Sequence, residues 1–228
     1  MLDEANLSPM EYYWADFMNI CDKSAGNHYI SLGDRNQFRI PETCRFVATI
    51  NNDHTTEVMS PRLIDRSAVI VLPTVPYQAV EDEELEDDSF VRVISWKDLK
   101  TAYDVDVIRD FSRTPKEIFD TQIVPRLKVL GININPRTER AIKRFYNVAQ
   151  SIFKTDKNGT DPSIIALDYG ISQHLLTKIN GSGEEYRKNL EELKATCEKP
   201  AVNLTRCAAV LNRILEKGDS ALHYYQFF

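Results

Sequence analysis

The residues with the clearest chemical potential stand at the start of the chain, where Met1 and Leu2 run into an adjacent acidic pair, Asp3 and Glu4. An apolar segment that ends in two carboxylates is typical of a buried parallel strand that delivers acidic side chains to a nucleotide site. In such a site the Asp holds Mg²⁺, usually through water, and the Glu polarises the water that attacks the γ-phosphate. The pair is short and terminal, so its interpretation depends on the residues that follow.

A second polar group follows a short β-branched, apolar run over residues 45–50, which predicts a buried strand. This run stops at Asn51, and two more small polar residues come directly after it. A parallel α/β sheet binds ligands at the edge where its strands end in such side chains. A polar turn without a ligand is the alternative interpretation.

The elements that must position these side chains are predicted to alternate over residues 1–76. Short apolar runs indicate strands, and a Ser-Pro pair before a helical pattern indicates an N-cap. In order, we expect a strand before Asp3, a helix capped at Ser8–Pro9, a hairpin over 29–40, a strand over 45–50, a helix capped at Ser60–Pro61 and a strand over 68–72.

The remainder of the chain divides into a connector over 77–114 and a helical region over 115–228. The connector contains an acidic run over 81–88, which we interpret as a solvated loop, followed by a possible strand over 90–96 and a short helix. The helical region shows apolar residues at helical spacing. Its predicted helices cover 115–129 with an interruption near Pro125, 136–153, 162–179, 184–197 and 204–217, before an aromatic tail.

The composition is that of an ordinary globular chain. It has 228 residues, 43% hydrophobic residues and a formal net charge of −6, so the overall charge does not favour nucleic acid. No apolar run approaches the roughly 20 residues of a membrane span. The four cysteines and four histidines are scattered and form no metal-ligand pattern, and we expect a cytoplasmic protein with reduced thiols.

Several short motifs occur in an order that resembles a known family. They are the strand ending in Asp3–Glu4, Ile40–Pro41, the Ala-Thr-Ile-Asn segment 48–51, the Ser-Pro-Arg-Leu-Ile-Asp-Arg segment 60–66, the Asn-Pro-Arg-Thr segment 135–138, and Leu167-Asp168-Tyr169 through Lys178-Ile179-Asn180-Gly181. This order resembles the second half of an AAA+ nucleotidase core. More narrowly, it is similar to the McrB-type branch, the nucleotide-driven motor of modification-dependent restriction systems.

The resemblance implies roles for three residues near the predicted sheet edge. Asp3 would be the Walker B ligand of Mg²⁺, and Glu4 would be the base that orients the attacking water. Asn51 would be sensor 1, which hydrogen-bonds that water or the γ-phosphate. An amide suits this role because it donates and accepts without adding charge.

The resemblance also implies that three arginines contact the nucleotide. Arg66 would be the arginine finger, which stabilises the transferred phosphoryl group in a neighbouring subunit's site, and Arg62 is its competitor for that role one helical turn away. Arg137 would be sensor 2, touching the phosphates from the lid. A surface salt bridge or an ordinary exposed arginine is the alternative for each. A finger that acts between subunits requires a ring, which we expect to be hexameric.

The implied fold is α/β: a partial AAA+ parallel-sheet core over 1–76, from Walker B to the last core strand, then the connector over 77–114 and an all-helical lid over 115–228. One part of the family pattern is absent. A P-loop NTPase has a glycine-rich loop ending in Gly-Lys-Ser/Thr, and the chain contains no such sequence. We therefore expect a C-terminal piece of a longer protein, which by itself binds nucleotide weakly or not at all and does not hydrolyse it.

The leading functional hypothesis is the C-terminal portion of an AAA+ ATPase or GTPase that hydrolyses its nucleotide with Mg²⁺ in a ring and drives a nuclease partner against foreign DNA. The alternative is a non-catalytic AAA+-derived interaction module that lacks a phosphate-binding loop and acts as a scaffold, or as a subunit that supplies only Arg66. A helical DNA-binding domain over 115–228 is the weakest of the three, because Glu184, Glu185, Glu191 and Glu192 offset its basic residues. Those basic residues are Arg126, Lys128, Arg137, Arg140, Lys143 and Arg144.

Overall fold

The computed structural model describes most of the chain, and its helices hold most of the described residues. The described ranges are 1–10, 12–14, 18, 29–32, 36–41, 43–51, 57–72, 94–103 and 107–228. Within them the α-helices are α1 (Pro61–Ile64), α2 (Trp96–Tyr103), α3 (Arg113–Glu117), α4 (Val124–Val129), α5 (Pro136–Ile152), α6 (Pro162–His174), α7 (Glu184–Cys197) and α8 (Thr205–Ser220). The strands are β1 (Tyr29–Leu32), β2 (Asn36–Arg39), β3 (Asn180–Ser182) and β4 (Tyr224–Gln226).

The predicted fold class, a partial AAA+ parallel-sheet core, is wrong. The sheets of the described residues are two antiparallel pairs, β1 with β2 and β3 with β4. The runs over 45–50 and 68–72, predicted as core strands, form no ladder there. In place of the predicted parallel sheet, the described residues contain one isolated parallel bridge, between Leu2 and Ala48.

The chain around each predicted strand explains why no parallel sheet forms. Glu4 has a left-handed backbone (φ 45°), so the chain turns away directly after the bridge at Leu2. In the 68–72 segment, Val69 and Val71 pack on the helical core, whereas Ile70 and Leu72 are exposed. This run therefore has one buried face, which is covered by helices, and it does not have the two buried faces of a central parallel strand.

Other predicted elements are confirmed. The hairpin is present, with Tyr29 opposite Arg39 and Leu32 opposite Asn36. Met10, residues 12–14 and Met18 have helical backbone, as the first predicted helix requires. Some predicted features lie outside the described residues. They are the hairpin turn at 33–35, the polar residues Asn52 and Asp53, the acidic run 81–88 and most of the predicted strand over 90–96.

The helical region was predicted well, because its signals are local. Helix α5 begins at Pro136 after Asn135, whose side-chain oxygen accepts a hydrogen bond from Thr138 N at 2.8 Å. Asp161 caps α6 in the same way. The prediction of an all-helical region is wrong in one respect, since β3 and β4 form a small sheet there.

The predicted interruption near Pro125 is a widening of the helix. Residues Ile118–Ile123 form a π-helix between α3 and α4, and Val124 N bonds to Phe119 O, five residues back. Proline has no N–H and its ring clashes with the preceding turn of an α-helix. The wider π turn accommodates the ring, so the helical path continues through Pro125 instead of ending.

Two apolar clusters hold the described residues together. The larger one is formed by residues from Phe111 to Phe227, in the region where α5 packs on α6 and α7 packs on α8. The smaller N-terminal cluster is formed by Ala5, Met10, Trp14, Met18 and Leu63. Among the described residues, no helix is long and apolar enough to cross a membrane.

The C-terminal strand is fixed to α8 by the ring and hydroxyl of Tyr225. The residue is fully buried, and its hydroxyl donates to Asp219 Oδ1 at 2.7 Å. Arg187 donates to both oxygens of the same carboxylate, at 2.9 and 3.1 Å. Hydrogen bonds from Arg187 and Tyr225 lower the pKa of Asp219 to about 2.

Gly218, in α8, leaves the space that the Tyr225 ring occupies. A Cβ at this position would lie 2.1 Å from Tyr225 Cδ1. Helix propensity alone would make Gly218→Ala stabilising by about 1 kcal/mol. Because the ring is buried and cannot move away cheaply, we expect the clash to dominate and the variant to lose about 2 kcal/mol of unfolding free energy in urea titrations. A stabilised Gly218→Ala variant would show that the ring does not pack against this turn.

Candidate functional site

Three predicted site residues, Asp3, Glu4 and Asn51, lie together although more than 45 residues separate the acidic pair from the asparagine. Backbone hydrogen bonds hold the two segments side by side: Leu2 N to Val47 O, Thr49 N to Leu2 O and Ala5 N to Thr49 O, each at 2.9 Å. The acidic turn at residues 3–4 therefore lies next to the end of the 45–50 run. The structure therefore brings Asp3, Glu4 and Asn51 together without the predicted sheet.

Side-chain hydrogen bonds link the three residues. The Thr49 hydroxyl donates to Asp3 Oδ1 and accepts a hydrogen bond from Glu4 N at 2.9 Å. The Asn51 amide donates to Glu4 Oε1 at 3.4 Å. All four side chains are exposed, so the two carboxylates are open to a ligand from solvent.

The carboxylates suit the chemistry of Mg²⁺. This ion commonly takes one or two protein carboxylates and completes its shell with water and phosphate oxygens. Asp3 and Glu4 meet that requirement. The described part of the chain contains no group of three or more His, Cys, Asp or Glu side chains of the kind that would form an all-protein metal site.

Asn6 is a site residue that the sequence did not identify. It is buried, with 5% of its surface exposed, and its amide donates to Asn51 O at 2.7 Å and to Glu57 O at 3.2 Å. Its Oδ1 accepts from Asn51 N at 3.1 Å. Asn6 thus fixes the backbone of Asn51 in a region that has no sheet to do so. The only signal in the sequence was a polar residue between two apolar ones, Ala5 and Leu7.

The two candidate finger arginines lie on and just after α1. Ser60 caps this helix, and its Oγ accepts from Leu63 N at 3.3 Å. Arg62 is exposed, whereas Arg66 is half-buried and donates to Arg62 O at 3.0 Å. In the described part of the chain, Asp3 and Glu4 bond to Thr49 and Asn51 and to neither arginine.

Arg137, the predicted sensor 2, lies in a second polar cluster centred on a carboxylate of the same Ser-Pro segment. Its Nη1 lies 3.4 Å from Asp65 Oδ2. Asp65 Oδ1 also accepts hydrogen bonds from Lys178 Nζ at 2.6 Å, Asn135 Nδ2 at 2.8 Å and Thr138 Oγ1 at 3.0 Å. We call these five residues the Asp65 cluster; the sequence predicted Arg137 to bind phosphates but did not predict this pairing.

The Asp65 cluster holds its carboxylate in the charged form. Burial by itself would raise the pKa of Asp65, but hydrogen bonds from Lys178 and Asn135, the Lys178 charge and a hydrogen bond from Thr138 lower it to about 2. Lys178 Nζ also bonds to Thr138 Oγ1 at 2.9 Å. The cluster joins α1 to the start of α5 and to the 3₁₀ turn Leu176–Lys178 that follows α6.

A pH-dependent loss of stability follows from this pKa. A carboxyl whose pKa is lowered on folding stabilises the folded state above its unfolded value, about 3.9, and loses that contribution as the pH falls through 2. We expect Asp65→Asn to lose about 2 kcal/mol of unfolding free energy at pH 7, because it removes hydrogen bonds to a charged group. The difference from the wild type should shrink between pH 4 and pH 2.

Urea titrations at several pH values measure this difference, and Asp120→Asn is the control. Asp120 is exposed and makes no hydrogen bond in the described part of the chain. We expect that substitution to change the unfolding free energy by less than about 0.5 kcal/mol at any of these pH values. An Asp65→Asn deficit that is the same at pH 7 and at pH 2 would rule out the charge of Asp65 as its cause.

Comparison with known protein families gives a match that includes most of the helical region but not Asp3 and Glu4. A family model with the description "Domain of unknown function (DUF8727)" matches residues 86–222, which is more than half of the chain and includes Arg137 and Lys178. Asp3, Glu4, Asn51 and α1 precede the matched stretch. No curated protein and no solved structure matches the chain. The chain belongs to the DUF8727 family.

Proposed function

We propose that this chain is the C-terminal portion of a Mg²⁺-dependent nucleoside triphosphatase, an AAA+ ATPase or GTPase similar to the McrB-type branch. One observation carries the proposal. Asp3, Glu4 and Asn51 are distant in sequence, yet they share one exposed site in which Thr49 bonds to Asp3 and Asn51 bonds to Glu4. Their chemistry is that required for metal binding, water activation and γ-phosphate contact.

In this proposal, each of the three residues has one task. Asp3 binds the Mg²⁺ ion, mainly through water. Glu4 accepts a hydrogen bond from the attacking water and orients it toward the γ-phosphate. Asn51, whose amide is 3.4 Å from Glu4 Oε1, holds that water or a phosphate oxygen without adding charge. The phosphate-binding loop has to come from another segment or chain, because the sequence contains no Gly-Lys-Ser/Thr.

Arg62, on α1, and Arg66, just after it, are the residues from which we propose an oligomer. In the described part of the chain, Asp3 and Glu4 bond to neither arginine, so the proposal assigns the finger to a neighbouring subunit's site in a ring. Arg66 is our proposed finger and Arg62 its competitor. We extend the proposal by family analogy to a hexameric ring, a cytoplasmic location and a separate nuclease subunit that acts on DNA.

Glu4→Gln tests the role of the base. We expect the protein, expressed with whatever coding sequence precedes Met1, to bind nucleotide normally and to lose at least about 100-fold in ATP or GTP turnover. Phosphate release measures turnover, and binding of a fluorescent nucleotide measures affinity. Glu57→Gln is the matched control, because Glu57 is an exposed carboxylate near Asn51 whose side chain makes no hydrogen bond in the described part of the chain. Unchanged turnover in Glu4→Gln would remove Glu4 from the base role.

Arg66→Ala and Arg62→Ala form a matched pair that identifies the finger. We expect Arg66→Ala to lower turnover by about 1,000-fold with little loss of nucleotide affinity, and Arg62→Ala to retain most of the activity. Mixing Arg66→Ala with Glu4→Gln subunits should restore part of the turnover, because each variant supplies the residue that the other lacks. If mixing restores nothing, the finger does not act between subunits.

The absence of a phosphate loop favours a second candidate, a non-catalytic interaction module that contributes only an arginine to a partner's site. The two candidates differ in what precedes Met1. An upstream Gly-Lys-Ser/Thr loop in the same reading frame, together with nucleotide hydrolysis, supports the motor. A nucleotide-independent melting temperature and no hydrolysis in the protein as encoded support the module.

A further inference from the structure

The charge of the chain is distributed unevenly, and the helical region carries a basic part. Residues 107–160 contain eleven Lys and Arg against five Asp and Glu, whereas the whole chain contains 28 against 34. The overall net charge of −6 therefore conceals a positive segment. Such a segment attracts polyanions if its cations share one surface and are not neutralised there.

The arginines of α5 do share one surface. Arg137, Arg140 and Arg144 are spaced by three and four residues, which places them on one face of the helix. The buried residues of α5, among them Ile142 and Tyr146, lie on the opposite face. We call this row the α5 arginine stripe.

The stripe continues beyond Arg144 through a hydrogen bond to the preceding segment. Asn147 follows Arg144 on the same side of α5, and its amide donates to Arg109 O at 3.2 Å. Arg109, which is also exposed, therefore lies at the far end of the stripe. From position 137 to position 144 the helix rises about 10 Å, so the three arginines of α5 lie along one edge, and the backbone of Arg109 lies next to the end of that edge.

The central arginines of the stripe have no acidic partner. Arg140 Nε donates to Pro136 O at 3.1 Å, and Arg144 makes no hydrogen bond or ion pair in the described part of the chain. Several other cations of the same region are paired with carboxylates. These pairs are Lys116 with Asp110, Lys143 with Glu139 and Asp110, Arg187 with Asp219 and Glu191, and Lys194 with Glu198.

The acidic residues that weakened the DNA-binding hypothesis lie on a different helix. Glu184, Glu185, Glu191 and Glu192 all belong to α7, which packs on α8 and α4, whereas α5 packs on α6. Glu191 is paired with Arg187 on its own helix. The sequence alone combined the charges of both helices, whereas the fold separates them.

We propose that the α5 arginine stripe binds the sugar-phosphate backbone of duplex nucleic acid. This inference is independent of the proposed nucleotide hydrolysis. A duplex presents closely spaced phosphates along each strand, and one guanidinium group can bind two phosphate oxygens at once. The stripe contains no aromatic side chain on which an unpaired base would stack, so it contacts phosphates and does not read single-stranded bases.

An acidic protein segment fits the stripe less well. Stable protein interfaces need a buried apolar centre, and charged residues are depleted there. Between the arginines the stripe offers only Ala141 and Val148, both half-buried. Nucleic-acid binding needs no such centre, because release of counterions from the phosphates supplies the free energy.

The test is fluorescence anisotropy of the whole chain with a labelled 24-base-pair DNA duplex, over a range of salt concentrations. We expect micromolar binding at 50 mM salt that weakens steeply with added salt, since about three or four phosphates are contacted. Arg140→Gln combined with Arg144→Gln should weaken binding at least 10-fold and reduce the slope of log affinity against log salt by about 2. Arg140→Lys combined with Arg144→Lys should retain the slope.

Lys188→Gln combined with Lys199→Gln is the control, because both lysines are exposed and lie on or after α7. It removes the same charge and should leave binding within about twofold of the wild type. Circular dichroism melts establish that every variant is folded. The proposal is overturned if the wild type does not bind the duplex, if the control loses as much affinity as the arginine variant, or if a polyglutamate peptide binds at the stripe and the duplex does not.

Discussion

The hydrogen bonds and ion pairs of the Asp65 carboxylate hold the α1 segment against the helical region, and the arrangement of the described residues depends on them. It receives hydrogen bonds from Lys178, Asn135, Thr138 and Arg137, which come from two separate parts of the helical region. A half-buried charge is costly without partners, so removing the carboxylate would leave Lys178 without its main counterion. Leu63 of the same short segment packs in the N-terminal cluster, and Asp65 bonds to Lys178 of the helical region, so this segment connects the two parts of the chain.

The candidate nucleotide site has a different kind of support. Among the described residues, no parallel sheet supports it. The isolated bridge between Leu2 and Ala48 and the buried side chain of Asn6 align the acidic turn with Asn51. A sheet fixes its edge through many repeated hydrogen bonds, whereas here the alignment depends on a few specific ones. Asn6 makes two of them to Asn51, and a third hydrogen bond to Glu57 O, so its burial is easier to understand as a substitute for a missing strand partner than as ordinary core packing.

The helices were predictable from the sequence because their causes are local. Asn135 and Asp161 cap helices within three residues, and the apolar spacing of α5 matches its buried face. The sheet prediction failed because strand pairing is non-local, and a run such as 68–72 looks the same whether helices or strands cover it. The juxtaposition of Asp3, Glu4 and Asn51 came from ordered motifs, not from periodicity. The Asp65 cluster, whose members are up to 113 residues apart, left no local pattern to detect.

Arg137 belongs to both the Asp65 cluster and the α5 arginine stripe, and this shared position links the two proposed activities. Its guanidinium is 3.4 Å from Asp65, a longer contact than the 2.6 Å bond from Lys178, so Asp65 would keep its shorter contact if Arg137 moved to a phosphate. As sensor 2, Arg137 would contact the phosphates of a nucleotide, so a duplex on the stripe and a bound nucleotide would then compete for, or jointly reposition, one side chain. Any such effect must be reciprocal, because the coupling free energy between two binding sites is the same in both directions. Binding of nucleotide and of duplex, each measured with and without the other, therefore reports whether Arg137 connects the nucleotide site to the helical region.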